Sequence, residues 1–516
     1  MRNVNHNDPV FQFIKVMTKA EKRSFKLFVM RGSANEEVKF IALFDLMDSL
    51  DNYDQDKILS KLEISKEQFA NLKTHLYEQL LVSCRLIGVK HSRSIELREQ
   101  VDFAKILYDK GLFRQSLKIL DRAKKRAIES EFFVIAIEIV EMEKNIEILS
   151  NTKDANSRAD ILSIQSNELT RIVNNINTLS NITIQLYGLH LKLGFARSER
   201  DLQLLENIFP PKITEVNHKG TTLEMLHLYH AQMWYSYIRY DFVGCYKFAC
   251  KIIALYKKNN ALLEVHYDTY LKAISRKMEC LYLLGSYERL VITLKEYEDN
   301  LSEVEINDNV KIAAQYLLYI NKVNMIFIRG SFTENLSIIN DIEHFITLNN
   351  SRLGHYEITM LHYKIACIYF GVGNYDKSLI YLQKIIALRD VVIRRDIHCF
   401  ARILNLIASY ESARDTNLDV QIRNVYTYLI KMNDMYAVQK EMMSFLKKLH
   451  TITASDVRGE LKKLYETLKQ YEGETYEQRP FLYMDILSWL ESKIEGKSFE
   501  RIIQDKFKNR ILKNSN

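Results

Sequence analysis

The sequence predicts an all-α protein in which pairs of helices stack into a solenoid. A short signal recurs between apolar-periodic segments, and it reads Gly, any residue and an aromatic residue in three cases and Tyr-Asp-Phe in a fourth. The aromatic residues of four such signals, which lie 45, 45 and 43 residues apart, are Phe242, Tyr287, Phe332 and Tyr375. A fixed period of 20 to 50 residues is typical of stacked supersecondary units. With 15 Gly and 4 Pro in 516 residues, the chain also has too few breakers for many strands and tight turns.

The composition predicts a folded chain in the cytoplasm. Apolar residues make up 47% of the sequence, which suffices for a continuous core and excludes a disordered chain. No apolar run reaches the 18 or more residues of a membrane span, and Met1–Arg23 has no apolar segment of the secretory kind. The six cysteines lack CxxC spacing, which favours buried, reduced thiols over disulfides or zinc.

The N-terminal region, residues 1–95, is predicted to contain four helices. The first begins at Thr18 or Lys19 and ends near Met30, and a second, capped at Asn35, ends near Leu50. A short helix over Asp54–Glu63 follows. A long one then runs from Ser65 to about Val89, with apolar residues at three- and four-residue steps.

The two last helices of this region suggest a second interpretation. Residues 57–72 have the apolar spacing and the Ile-Ser turn of a helix-turn-helix, whose second helix would enter the major groove of DNA. The side chains that would face the groove are Lys66, Gln68 and Asn71. Glu63 stands where Gly usually makes the turn, and Leu59 where a small residue lets the helices cross. Residues 1–130 contain 24 Lys or Arg against 18 Asp or Glu, a small basic surplus.

The remaining chain divides into two blocks of repeats, 96–209 and 221–472, and a C-terminal region, 473–516. Pro210-Pro211 separates the two blocks, because prolines do not continue a helix. A further signal, Gly111-Leu112-Phe113, lies three steps of 43 before Phe242, and the register suggests about nine helix pairs. Two hidden turns are expected near Asn156 and Glu199. The C-terminal region is predicted to form two closing helices, Phe481–Ile494 and Phe499–Leu512.

One repeat resembles a tetratricopeptide repeat. The likeness rests on Ala366, Tyr369 and the run from Gly373-Asn374-Tyr375 to Ile385. It implies a right-handed superhelix of helix pairs whose concave face binds proteins or peptides. The units of 43 to 45 residues exceed the family's length of about 34 and lack its closing proline, so the repeats are tetratricopeptide-like. Through Met17–Arg23 the chain is also similar to uncharacterised helical-repeat proteins of Bacteroidota bacteria, which implies no function.

A binding groove is predicted from the helix before each turn, whose inner face lines the groove in the resembling family. Aromatic residues recur five positions before each signal's aromatic residue, and further candidates stand eight and twelve positions before it. The predicted groove residues are His230, Trp234, Tyr237, Tyr282, Phe327, Tyr363 and Phe370. Aromatic bodies with polar tips suit a peptide groove, but the same positions also suit packing alone.

Catalytic and cofactor motifs are not found in the sequence. There is no phosphate loop, GxGxxG, HExxH or GxSxG pattern. His227 and His230 lie one helical turn apart, but no nearby Cys or carboxylate completes a metal site, so we expect no metal and no cofactor. We therefore expect a non-enzymatic protein- or peptide-binding scaffold. The alternative is a peptide-responsive transcriptional regulator with an N-terminal DNA-binding helix-turn-helix.

Overall fold

The computed structural model confirms that the chain is all-α over the residues that it describes, which form two compact units, Met1–Arg171 and Ile172–Asn516. The described residues are 8–30, 36–88, 92–150, 155–209, 220–303, 308–388, 394–412, 418–432, 434–448, 456–474, 476–477 and 479–514. Within this part of the chain, no helix is both long and apolar enough to cross a membrane.

The first unit begins with five helices around an apolar core that includes Phe25, Phe44 and Ile58. They are α1 (Pro9–Val16), α2 (Lys19–Val29), α3 (Glu36–Ser49), α4 (Gln55–Leu62) and α5 (Lys66–Gly88). Thr18 and Glu21 form a reciprocal capping box at the start of α2, and Asp54 caps α4. Helix α1 was not predicted, although Asp8, which caps it, and Pro9 are a typical helix start. Asn35 and Val89 lie outside the described residues.

Helices α6 (Arg93–Asp109), α7 (Phe113–Glu129) and α8 (Phe133–Ser150) complete the first unit together with the beginning of α9 (Ala155–Leu193). The pair α6–α7 is joined at Gly111, which has a φ of 72°, as the repeat signal predicts. Between the two expected hidden turns the chain forms one helix of 39 residues instead of a pair. No proline interrupts this stretch, and its polar residues are compatible with a long helix. The predicted connection at 151–154 lies outside the described residues.

The second unit contains the four periodic signals, each between two helices. These helices are α10 (Glu199–Ile208), α11 (Thr222–Ile238), α12 (Phe242–Lys258), α13 (Asn260–Val265), α14 (Tyr267–Leu283), α15 (Tyr287–Glu303), α16 (Asp308–Arg329), α17 (Ser337–Asn349), α18 (His355–Val372) and α19 (Tyr375–Ile386). Gly285, Gly330 and Gly373 take the left-handed conformation at their turns, whereas in the first signal Tyr240 does so. The Gly330 turn leads into a short 3-10 helix, Thr333–Asn335, before α17. Pro210-Pro211 lies outside the described residues.

In two of the helix pairs, the small residue three positions after the signal's aromatic residue joins the two helices by a hydrogen bond. Ser116 Oγ donates to the carbonyl oxygen of Ala104 at 2.8 Å, and Ser378 Oγ donates to that of Ala366 at 2.9 Å. Both serines are fully buried. The small side chain therefore permits a close approach and also satisfies its own hydroxyl in the core.

The C-terminal helices pack on the helices just before them and also on helices in the middle of the repeats. They follow α20 (Arg395–Ser412), α21 (Leu418–Lys431), α22 (Ala437–Lys448) and α23 (Val457–Gln470), and they are α24 (Arg479–Tyr483), α25 (Ile486–Glu495) and α26 (Phe499–Asn514). Helix α25 packs on α23, whereas α26 packs on α16 and α18 in the middle of the repeats. There the ring of Phe499 lies 6.0 Å from that of Phe332 and 5.9 Å from that of Phe370.

Candidate functional site

A cavity of about 600 Å³ lies in the second unit and is bordered by α9, α11, α14, α16 and α18; we call it the main cavity. Arg394 and the Leu482–Tyr483 segment complete its wall. Five of the seven predicted groove residues border it, namely His230, Trp234, Tyr237, Tyr282 and Tyr363. They stand on α11, α14 and α18, which are the helices that precede the turns.

The other two predicted residues, Phe327 and Phe370, border a second cavity of about 430 Å³. Tyr282 borders both cavities, and Phe481, Phe499 and other residues of α24–α26 border the second one. The predicted row is thus split between two neighbouring cavities, because the C-terminal helices lie over part of it.

Burial differs along the predicted row. Tyr237 is 4% exposed and Tyr363 and Phe370 are 2% exposed, so these three side chains contribute to the core as well as to a cavity wall. The other four are partly accessible. That the row binds a partner stays a prediction, and variants of these residues distinguish binding from packing.

The two histidines of α11 are kept neutral by their surroundings. Burial lowers the pKa of His230 to about 4, and burial likewise lowers the pKa of His227. Among the described residues there is no group of three or more His, Cys, Asp or Glu side chains that could hold a metal ion.

Arg276 and Glu279 on α14 form a charged pair inside the main cavity. The guanidinium of Arg276 donates to Glu279 at 2.6 Å and lies 4.0 Å from the ring centroid of Tyr237 and 4.5 Å from that of Trp234. The hydroxyl of Tyr237 donates to the other carboxylate oxygen of Glu279 at 2.6 Å. Arg276 was not predicted as a site residue, although its spacing of three residues from Glu279 is a usual signal for a helical ion pair.

A second charged group, centred on Arg394, closes the cavity beside the C-terminal segment. Its guanidinium donates to Asp396 at 2.9 Å, to the Tyr356 hydroxyl at 3.1 Å and to the Tyr483 hydroxyl at 2.6 Å. The Tyr483 hydroxyl in turn donates to Asp396. This group was not predicted from the sequence, because Tyr356 and Tyr483 lie far along the chain from Arg394 and Asp396 and share no period with them.

His190 on α9 accepts from Arg394 at 3.4 Å through Nε2. Its Nδ1 lies 2.8 Å from the carbonyl oxygen of Gly194, which can only accept, so the proton sits on Nδ1. Burial, and next the positive charge of Arg394, lower the pKa of His190 well below its usual value. The ring is therefore a neutral structural element of the cavity wall.

Lys364 on α18 differs from the two arginines. Its Nζ donates to Asn324 Oδ1 at 2.8 Å and lies 4.7 Å from the ring centroid of Phe327 and 5.5 Å from that of Tyr282. Among the described residues it forms no ion pair with a carboxylate. Burial lowers the pKa of Lys364 to about 8.

The candidate helix-turn-helix consists of α4 and α5 in the first unit. Glu63, where Gly is usual, takes the left-handed conformation with a φ of 52°. Lys66, Gln68 and Asn71 are exposed on α5, but the Gln68 side chain accepts from the backbone N–H of Ser65 at 3.0 Å and so caps the helix. The exposed charges around the turn are Lys57, Lys61, Lys66, Asp54, Asp56, Glu63 and Glu67. Four carboxylates thus accompany three lysines on this surface.

Comparison of the chain with known protein families and with curated proteins found no match in either case.

Proposed function

We propose that this protein is a non-enzymatic scaffold that binds a peptide or an extended segment of a protein in the main cavity. In this proposal the helix pairs stack as a tetratricopeptide-like, right-handed solenoid, and the cavity is part of its concave face. The proposal rests on the observation that five residues, selected by their position relative to the aromatic residue of each repeat, border one cavity. Its volume of about 600 Å³ falls within the usual range of ligand sites.

The chemistry of the wall supports a peptide as the ligand. Trp234, Tyr282 and their neighbours offer flat apolar surfaces, and Ser275, Asn321 and Asn324 add polar groups between them. A peptide presents apolar side chains together with backbone N–H and C=O groups, and this wall can accommodate both. The ion pairs of Arg276 and Arg394 hold the wall in place.

The transcriptional regulator is the weaker proposal. A surface that docks on DNA neutralises phosphates with Lys and Arg, and here four carboxylates accompany three lysines around the turn. Gln68 is also occupied as a helix cap. We further propose a cytoplasmic location, because all six cysteines are free.

Affinity selection tests the proposed function. The full chain is mixed with a randomised pool of N-acetylated hexapeptides, and the peptides that co-elute with it in size exclusion are identified by mass spectrometry. Selected peptides are then measured individually against Tyr282→Ala and against Tyr426→Ala, a control at an exposed tyrosine of α21.

We expect Tyr282→Ala to weaken binding by about 1 to 3 kcal/mol, as loss of a contact aromatic does, while its melting temperature stays close to that of Tyr426→Ala. Failure of the wild-type chain to retain any peptide would refute the proposal. A large drop in melting temperature for Tyr282→Ala would assign Tyr282 to packing and remove it from the site.

A further inference from the structure

One surface of the first unit is apolar although its side chains are exposed. Between residues 77 and 86 of α5, six side chains are exposed, and four of these are apolar. Helix α6 adds two more. The apolar residues of this surface, each between 38% and 53% exposed, are Tyr77, Leu81, Val82 and Leu86 on α5 and Phe103 and Ile106 on α6. We call this surface the α5–α6 face.

The opposite side of α5 already belongs to the core of the first unit. Leu76 and Leu80 are fully buried there, so this part of α5 is apolar on both sides. A surface helix of a single chain normally has a polar outer side, and a helix that is apolar all round is normally buried. Exposed apolar patches are typical of interaction sites. The pattern therefore indicates a surface that another protein chain covers.

An ion pair joins the two helices within this face. Arg85 Nη2 on α5 donates to Asp102 Oδ2 on α6 at 2.8 Å. Near the connection between the helices, the side chain of Ile95 lies against Gly88. Contacts that move back along α5 therefore move forward along α6, so the two helices run in opposite directions.

Apolar residues stand beside this ion pair on both helices. Leu81 and Val82 lie one turn before Arg85, and Ile106 lies one turn after Asp102. Because the helices run in opposite directions, these three residues are on the same side of the ion pair. The face thus has an apolar part and, next to it, one cation and one anion.

The charges of the pair are accessible to a second molecule. The side chains of Arg85 and Asp102 are 57% and 60% exposed. An ion pair that is this exposed contributes little to the stability of a single chain, so its exchange for an equivalent pair between two molecules costs little. Charges in an interface mainly select the partner and fix its orientation.

The arrangement of charges favours a second copy of this chain as the partner. A two-fold axis that passes between Arg85 and Asp102, along the helices, places each of these residues opposite the other one in the second copy. The same axis places Leu81 of each copy opposite Ile106 of the other. The assembly is then closed at two chains, because both copies use the same surface.

We propose that the α5–α6 face is the interface of a two-fold symmetric dimer, in which Arg85 of each copy pairs with Asp102 of the other. The apolar residues hold the two copies together, and the charges set the symmetry. This inference is independent of the proposed function, because the residues that border the main cavity belong to the second unit.

The mass of the full chain in solution tests the interface. Light scattering and sedimentation velocity are measured over a dilution series for the wild type, Leu81→Glu, Ile106→Glu and the control Ile292→Glu, at an exposed isoleucine of α15. Circular dichroism checks that each variant is folded. We expect the mass of two chains for the wild type and the control. The two variants in the face should raise the dissociation constant at least about tenfold, because a carboxylate is then buried against apolar side chains.

Charge reversal tests the symmetry. Arg85→Asp places carboxylates opposite each other in the dimer, and Asp102→Arg does the same with guanidinium groups, so each variant alone should dissociate about tenfold or more readily. A mixture of the two variants should form a heterodimer, because the carboxylates of one chain then face the guanidinium groups of the other. A change confined to a single chain cannot produce this recovery.

Three results would overturn the assignment. A wild-type mass of one chain at every concentration would mean that the α5–α6 face is covered by a partner of another kind. A dimer that Leu81→Glu and Ile106→Glu leave intact would place the interface elsewhere on the chain. If Arg85→Asp and Asp102→Arg did not associate when mixed, the two-fold pairing of these residues would be wrong.

Discussion

The buried pair of Arg394 and Asp396 allows the cost of one missing partner to be worked out. Arg394 is 5% exposed and Asp396 3% exposed, and the guanidinium meets both carboxylate oxygens, at 2.9 to 3.2 Å. Arg394→Met keeps much of the apolar volume of the side chain but removes the guanidinium that the buried Asp396 carboxylate contacts. Breaking a buried pair in this way costs about 3 to 5 kcal/mol. We expect a loss of that size in the free energy of unfolding.

The double variant Arg394→Met/Asp396→Leu is the matched control. It removes both charges, so we expect it to recover most of the loss and to come within roughly 1 to 2 kcal/mol of the wild type. Both variants keep a non-glycine residue at the left-handed φ of 49°, and the backbone strain at position 394 therefore cancels between them.

Tryptophan fluorescence during urea denaturation measures both losses. The chain contains two tryptophans, Trp234 and Trp489, and both belong to the unit Ile172–Asn516, so the signal reports on the unit that contains the pair. A double variant as unstable as Arg394→Met, or a loss below about 1 kcal/mol for the single variant, would refute the account of a broken buried ion pair.

Three further predictions concern turns, pH and DNA. Gly330→Ala should lower the urea midpoint more than Gly373→Ala does. The Cβ added at position 330 would lie 3.0 Å from α26, whereas the Cβ added at position 373 meets open space. Equal decreases in the urea midpoint of the two variants would contradict this reasoning. Burial lowers the pKa of His230 and His398 to about 4, whereas the pKa of a histidine in the unfolded chain is roughly 6.5. The stability that is present above pH 6.5 should therefore be lost as the pH falls toward 4. Each histidine then lowers the free energy of unfolding by up to about 1.4 kcal/mol per pH unit. We expect His398→Gln to reduce the fall in urea midpoint between pH 7 and pH 5, and a fall of unchanged size would contradict this prediction. The chain should leave duplex DNA unshifted at low salt, and a shift abolished by Lys66→Glu would favour the regulator.

Local features of the fold could be predicted because each depends on residues close in sequence. The period of 43 to 45 residues located the turns at Gly285, Gly330 and Gly373, and all three take the left-handed conformation. Helix α2 begins at Lys19, where the Thr18 cap predicts it, since capping is a contact over three residues. The missed helix α1 is short, and the 39-residue α9 shows that extrapolating a period does not reveal where the repeat is interrupted.

Contacts between distant segments could not be predicted in the same way. The amphipathic pattern of α26 indicates one apolar face, but many surfaces of a helical chain could receive such a face, and only the structure shows that α16 and α18 do. The same limit explains why Arg394 was missed. Asp396 is two residues away, but its partners Tyr356 and Tyr483 come from separate segments, and no spacing in the sequence relates them to Arg394.

Contacts between distant segments also explain why residues at equivalent positions of the repeats differ in their surroundings. Tyr237, Tyr282, Phe327 and Phe370 occupy equivalent positions on successive helices, yet Phe370 contacts Phe499 of α26, while Tyr282 borders both cavities. Repeat phase determines which side of a helix a residue occupies, and the C-terminal segment determines whether that side is covered. A ligand in the main cavity would therefore contact the Tyr237 and Tyr282 part of the row, and substitutions at Phe370 should affect folding before they affect binding.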